Sequence, residues 1–163
     1  MTRRSYCADA SSLLKLKQDF PRPSFPSLWD RIEQLVADDR LFAPEEVFKE
    51  IESDDILAAW AKQRKRMFRA MSEEIWEIAR AVTKQFPNLA KPGKFSPAAD
   101  PFVVALARYV NDSQSGSLFE GNIECVVVSE EGGGPQQIPA ACSAFGVSYV
   151  NLVGLIQREG WKF

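Results

Sequence analysis

The run Ile123-Glu-Cys-Val-Val-Val128 is the tightest constraint on how this chain can fold. Six residues rich in β-branched side chains, ended by Ser129-Glu130-Glu131, make a strand of the kind covered on both faces in a parallel sheet. Parallel strands need long crossover connections, so such a run expects helices around it in sequence. The flanking pattern supplies them. Ser5 to Ala8 reads as a short strand that ends at Asp9, followed by a helix that Ser11-Ser12-Leu13-Leu14 can start. Phe20 to Pro26 carries three prolines and reads as loop. Leu28, Trp29, Ile32, Leu35 and Val36 fall at helical spacing, Leu41 to Ala43 is short enough for a strand, and Pro44 restarts a helix with Val47, Phe48 and Ile51 inward. Residues 54 to 70 and 72 to 86 read as two amphipathic helices, and 86 to 99 as loop. Asp100-Pro101 opens a helix with Asp at the N-cap and Pro at N1, residues 111 to 122 form a loop, and a short helix closed by Gly146 precedes a strand over Val147 to Leu152 and a last helix. This alternation predicts an α/β fold with a mainly parallel sheet in one domain over 1–163, a length that 45% apolar residues can fill with a single core.

Absences narrow the chemistry. There is no histidine, which removes His-based triads, His-ligated zinc and imidazole acid–base catalysis together. Cys7, Cys125 and Cys142 are odd in number and irregularly spaced, as expected of reduced core thiols. No stretch approaches the roughly 18 apolar residues of a membrane helix, and Met1-Thr2-Arg3-Arg4 leads into no signal-peptide core, so a cytoplasmic protein without a membrane partner is expected. The net charge of −2 gives no global affinity for nucleic acid. Lys62, Arg64, Lys65, Arg66 and Arg69 nevertheless crowd one segment that can supply phosphate contacts, as well as being readable as a solvated helix face.

Carboxylates remain as the chemical groups. In open parallel sheets ligands bind beyond the carboxyl ends of the strands. Asp9 follows the first strand, Asp100 heads a helix, and Glu130 or Glu131 follows the most apolar strand. Glu46 and Glu50 share one face of the helix after Pro44, and spacing alone does not choose between them. Each of these acids has an ordinary structural reading, Asp9 and Asp100 as helix caps and the glutamates as surface residues. Gathered in one pocket they would repel, and a hard divalent cation relieves that repulsion. Mg²⁺ or Mn²⁺ held this way suits phosphodiester cleavage. Asp9-Ala10-Ser11 lacks the paired aspartates of phosphohydrolases, and Gly132-Gly-Gly134 is no phosphate loop but reads as a flexible turn.

The phrase Tyr6-Cys-Ala-Asp9-Ala-Ser11-Ser-Leu-Leu14 resembles the opening motif of PIN domains, an apolar strand followed by Asp-Thr-Asn and further apolar residues. Ala43-Pro-Glu-Glu-Val-Phe-Lys-Glu50-Ile51 resembles their second motif, in which an acid precedes an apolar residue, and this likeness favours Glu50 over Glu46. Asp100-Pro-Phe-Val-Val-Ala-Leu-Ala107 resembles the third. Val126-Val-Val-Ser129-Glu130-Glu131 resembles the fourth, strand-Thr-x-acid, with Glu131 as the acid. Within that superfamily the chain is similar to a PIN-like bacterial group of about this length, marked by Phe25-Pro-Ser-Leu-Trp29-Asp30, Trp60-Ala61, Ile138-Pro-Ala-Ala-Cys142, Gly146-Val147 and Asn151.

The resemblance implies a three-layer α/β/α fold and an endoribonuclease that hydrolyses RNA with Mg²⁺ or Mn²⁺. Asp9 and Asp100 would be the principal ligands, Glu50 and Glu131 would complete the acidic pocket, and Ser11 and Ser129 would hydrogen-bond water or phosphate. Ser11 replaces the usual Asn, Ser129 the usual Thr, and Glu131 the usual Asp. For small bacterial members the likeness also implies the toxin role of a type II toxin–antitoxin pair, with an antitoxin that blocks the site, and it makes a homodimer a further expectation. The alternative is a PIN-like module that binds RNA or a protein without cutting. Trp29 and Trp60 are open to either a core or an interface role.

Overall fold

The computed structural model describes residues 3–90, 98–114 and 123–163. Five strands, β1 (Arg3–Ala8), β2 (Leu41–Pro44), β3 (Phe68–Arg69), β4 (Ile123–Val128) and β5 (Tyr149–Val150), pair in the order β3-β2-β1-β4-β5. Every pairing is parallel, with Tyr6 opposite Leu41 and Val126, and Ala8 opposite Val128. Eight α-helices occupy the described residues: α1 (Ala10–Asp19), α2 (Pro26–Ala37), α3 (Glu45–Ile51), α4 (Asp55–Lys62), α5 (Glu73–Gln85), α6 (Asp100–Gln114), α7 (Ile138–Ala144) and α8 (Leu152–Arg158). They cover the sheet in a three-layer α/β/α arrangement, as the resemblance implies, and the parallel sheet is the one the alternating pattern expects.

The long apolar strand lies at the centre of that sandwich. Cys125 to Val128 of β4 and Tyr6 to Ala8 of β1 are buried, and Phe102 to Ala107 of α6 are buried as an unbroken run. Six consecutive buried residues on one helix mean that it is covered all round. Here the sheet lies on one side and α5 and α7 on the other. The Cys7 thiol points to the Val103 carbonyl of α6 at 3.5 Å. All three cysteines are free and buried, and burial pushes the thiols of Cys125 and Cys142 up to about 12, so they are inert core groups. Trp29 and Trp60 pack edge to face at 5.8 Å and are 2% and 8% exposed, which places both in the core and not on an interface.

Several boundaries differ from the sequence reading. The expected helix over 54–70 is three elements: α4 ends at Lys62, a 3₁₀ turn covers Lys65–Met67, and Phe68–Arg69 form the edge strand β3. A two-residue strand that pairs only with Ala43 and Pro44 has too little length for an alternating pattern to show. The last strand is similarly short, and α6 runs to Gln114 instead of ending near 110. Asp100 is the first helical residue and not the cap, since the first turn closes from the Val103 amide to the Ala99 carbonyl at 3.0 Å. The loop expected over 111–122 falls, beyond Gln114, outside the described residues, as does part of the loop expected over 86–99. No helix among the described residues is long and apolar enough to cross a membrane.

Candidate active site

Strand order makes one place in this sheet special. The chain moves outward from β1 through β2 to β3, then returns to the other side of β1 for β4 and β5. The strand order therefore reverses between β1 and β4, and the crevice beyond their carboxyl ends is where a ligand site is expected. Asp9 and Ser129 are the first residues past those two ends.

Asp9 leaves β1 in extended geometry, with its backbone N–H on the Val128 carbonyl at 3.1 Å, and becomes the N-cap of α1. One carboxylate oxygen accepts the Ser12 backbone N–H at 2.9 Å, which is ordinary capping. Capping needs no further partner, yet two hydroxyls also converge. Ser129 Oγ donates to the second oxygen at 2.6 Å, and Ser11 Oγ stands 2.8 Å from both. Each hydroxyl is itself held from behind by a backbone amide after β4. Ser11 Oγ accepts from the Glu130 N–H at 3.0 Å, and Ser129 Oγ accepts from the Glu131 N–H at 3.1 Å. A hydroxyl with an N–H on its lone pair must turn its own proton toward the remaining acceptor, Asp9.

At 1% exposure Asp9 is nearly desolvated, and that burial raises its carboxyl above the usual range. The hydrogen bonds from Ser129, Ser12 and Ser11 pull it back down, and the charge of Glu131 pushes it up again. Between the two candidate acids after β4, Glu131 is thus the one whose field Asp9 feels. Glu131 Oε2 accepts the Ile138 N–H at the start of α7 at 2.8 Å, while Glu130 Oε1 reaches the Leu152 N–H at the start of α8 at 3.4 Å.

The remaining acids gather beyond β2. Glu50 Oε1 accepts the Ala99 backbone N–H at 2.9 Å, which ties α3 to the head of α6 where Asp100 is 4% exposed. Glu50 and Glu131 therefore share a pattern: one oxygen anchored by a backbone amide, the other without a protein hydrogen bond among the described residues. Glu46, one turn before Glu50, is the more buried of these two α3 acids at 4% exposure, and its Oε2 has no hydrogen-bond partner among the described residues. Burial raises its carboxyl as well. Sequence spacing alone did not separate Glu46 from Glu50. The separating fact is that Glu50 meets the Ala99 amide just before α6, while Glu46 is buried with an unpaired oxygen among the described residues.

The donor set fits a hard divalent cation in chemistry: carboxylate and hydroxyl oxygens at one sheet edge, two anchored acids with an oxygen to spare, and buried carboxylates whose ionisation is otherwise opposed. Among the described residues, however, no three acids or cysteines are already grouped closely enough to hold an ion. Asp9 lies within the field of Glu131, and Glu50 is tied to the amide of the residue before Asp100.

The basic segment lies elsewhere. Lys62, Lys65 and Arg66, with Glu33 and Asp39, line a groove of about 550 Å³. Asp39 precedes β2 and Lys65 precedes β3, so the groove opens where strands begin, away from the ends that carry the acids. Of the five cations only Arg69, paired opposite Pro44 and stacked 3.8 Å over the Phe42 ring, reaches the level of the strand ends.

Glu46 offers a first test. A buried acid with a raised carboxyl binds its proton more tightly folded than unfolded. Its contribution is whole below about pH 4.3, where the unfolded carboxylate is protonated, and stability is lost as pH rises through that range. Glu46→Gln, which removes the buried charge while keeping the polar shape, should therefore raise stability at pH 7 by on the order of 1 kcal/mol, with a gain that shrinks toward pH 4. A melt series showing no gain at pH 7 sinks the assignment of Glu46 as a strained acid.

A family model described as "Domain of unknown function (DUF4411)" matches residues 6–163, and the chain belongs to that family. All the acids discussed lie inside the match. No curated protein matches the chain.

Proposed function

We propose that this member of the DUF4411 family is a metal-dependent endoribonuclease of the PIN kind, in which Asp9 at the topological switch point is the central acid. The observation that carries the reading is the double-hydroxyl clamp on Asp9. A helix cap needs one oxygen and one amide, whereas Ser11 and Ser129, each held by an amide after β4, orient the whole carboxylate. Positioning a desolvated acid at this expense is the behaviour of a functional group. The motif likeness supplies the substrate class.

Asp9, Asp100, Glu50 and Glu131 would hold Mg²⁺ or Mn²⁺, with Glu46 behind them. When bound, the ion stabilises charge on the phosphoryl oxygens and lowers the pKa of water. The protein's own part is to keep Asp9 ionised and aimed through the serine hydroxyls and to hold Glu50 and Glu131 by backbone amides. The toxin role in a type II pair, the antitoxin partner and a homodimer are drawn from the resemblance, and a cytoplasmic location from the sequence's apolar patterning.

One observation favours a second reading, a PIN-like module that binds RNA or protein without cutting. Both oxygens of Asp9 are occupied by protein donors and the acids are divided, as a purely structural set of caps would be.

Incubation of a mixed RNA panel with the purified protein, with and without Mn²⁺ or Mg²⁺, separates the two. Cleavage that needs metal and is lost in Asp100→Asn is the expected result. No cleavage by wild-type protein with either ion overturns the nuclease reading in favour of the binding module.

A further inference from the structure

A second feature begins at the head of α6 and runs away from the acids. Trp76, Arg80, Thr83 and Lys84 recur at helical spacing along one face of α5 and, with Pro101 and Phe102 of α6, line a groove of about 430 Å³. That is within the range of about 300–1,000 Å³ for small-molecule sites. Its floor is aromatic. Trp76 meets Phe102 edge to face at 4.6 Å and remains 37% exposed, although a residue that served only the core would be covered. Its rim is cationic: Arg80 lies 5.8 Å over the Trp76 ring, Lys84 follows one turn later, and neither has an ion-pair partner among the described residues.

The groove and the acids share a segment at the head of α6. Ala98 and Pro101, which line the groove, bracket Ala99, whose amide anchors Glu50, and Asp100. A ligand lying in the groove therefore touches the segment that anchors Glu50 and carries Asp100. Aromatic faces beside unpaired cations are the means by which proteins hold single-stranded nucleic acid without reading its sequence: each base stacks and each phosphate meets a charge. A duplex buries its base faces and gains only the charge contact.

We propose that the Trp76–Phe102 groove is a subsite for an unpaired nucleotide of single-stranded RNA, with the base stacked on Trp76 and its phosphate against Arg80 and Lys84. The inference rests on the ribonuclease reading for its choice of nucleic acid as ligand, and its test does not require cleavage.

Fluorescence anisotropy of a labelled eight-nucleotide single-stranded RNA, in chelator so that nothing is cut, reads the subsite. Trp76→Leu should weaken binding about tenfold, equivalent to about 1.4 kcal/mol, with the melting midpoint kept. Trp76→Phe should restore most of the affinity, and a hairpin duplex of the same charge should respond to neither change. Equal single-strand binding by Trp76→Leu and wild type, equal losses for single strand and duplex, or no binding by wild type at millimolar protein each overturns the proposal. A protein that binds in a Trp76-dependent way but never cuts keeps this inference and refutes the nuclease. One that cuts but ignores Trp76 does the reverse.

Discussion

Asp9→Asn is expected to lower metal-dependent RNA cleavage by at least about 10³-fold, the rate equivalent of the several kcal/mol of charge stabilisation a bound ion supplies. The same change should move the melting midpoint by no more than about 4 °C, or roughly 1 kcal/mol for a domain of this size. Two opposing effects keep the stability change small. Asn caps a helix as well as Asp, so the Ser12 amide keeps its acceptor. The amide also carries no charge, and the penalty that burial places on the ionised Asp9 disappears. Against this, Ser129 Oγ already accepts the Glu131 N–H and donates to Asp9, so an NH₂ group facing it leaves one donor without an acceptor.

The sign of the pH dependence follows from the same residue. A carboxyl raised in the folded state contributes stability that is complete below the unfolded value, about pH 3.9, and is lost as pH rises from there toward the folded value. Asn has no such slope, so wild type and variant should converge at low pH and separate in the variant's favour as pH rises. A divalent ion, which favours the ionised form, should raise the wild-type midpoint at neutral pH and leave Asp9→Asn unmoved. Full cleavage by the variant removes Asp9 from the proposed chemistry. Collapse of its fold would instead assign the hydroxyl clamp to structure.

Much of this arrangement is legible in the sequence because it rests on short-range rules. The β-branched run of β4, the Asp9 junction and the Pro101 helix start each depend on a few adjacent residues, and the alternation of strand and helix yields the parallel sheet. What escapes depends on distant partners. Phe68 and Arg69 form a strand only because Ala43 and Pro44 offer an edge, and nothing in Lys65-Arg-Met-Phe-Arg announces it. The difference between Glu46 and Glu50 is set by what lies across from α3, namely the Ala99 amide from a segment about fifty residues later. Ser11 and Ser129 fall where the motif likeness would put Asn and Thr, so their hydroxyls can be anticipated as polar contacts. Their relay from the amides of Glu130 and Glu131 back to Asp9 needs β1 and β4 to be neighbours. The basic segment shows the opposite failure: its charge is plain in the sequence, and its distance from the acids is visible only once α4 is seen to end before β3 begins.

Glu159→Ala should be the most destabilising single change outside the apolar core, and it should leave the site untouched. Glu159, just past α8, receives the Tyr6 hydroxyl at 2.6 Å and one guanidinium nitrogen of Arg40 at 2.9 Å to both oxygens. Arg40 also donates through Nε to the Arg4 carbonyl at 2.7 Å. One carboxylate thus ties the end of the last helix to both β1 and the turn before β2, which are themselves joined by the Tyr6 N–H on the Arg40 carbonyl at 2.7 Å. The side chains of Arg40 and Glu159 are only 20% and 11% exposed, so solvent replaces little of what is lost. Removing one partner of a buried pair costs about 3–5 kcal/mol, and partial exposure argues for the lower figure, roughly 6–12 °C in midpoint. Glu159→Gln keeps an acceptor for Tyr6 while dropping the charge, and should fall between the two. Because these groups lie where strands begin, whereas Asp9, Ser129 and Glu131 follow strand ends, metal-dependent cleavage measured well below the midpoint should match wild type. A midpoint within 2 °C of wild type would mean that Arg40 finds water or another acceptor at no cost, and the clasp would then be a consequence of the fold and not one of its supports.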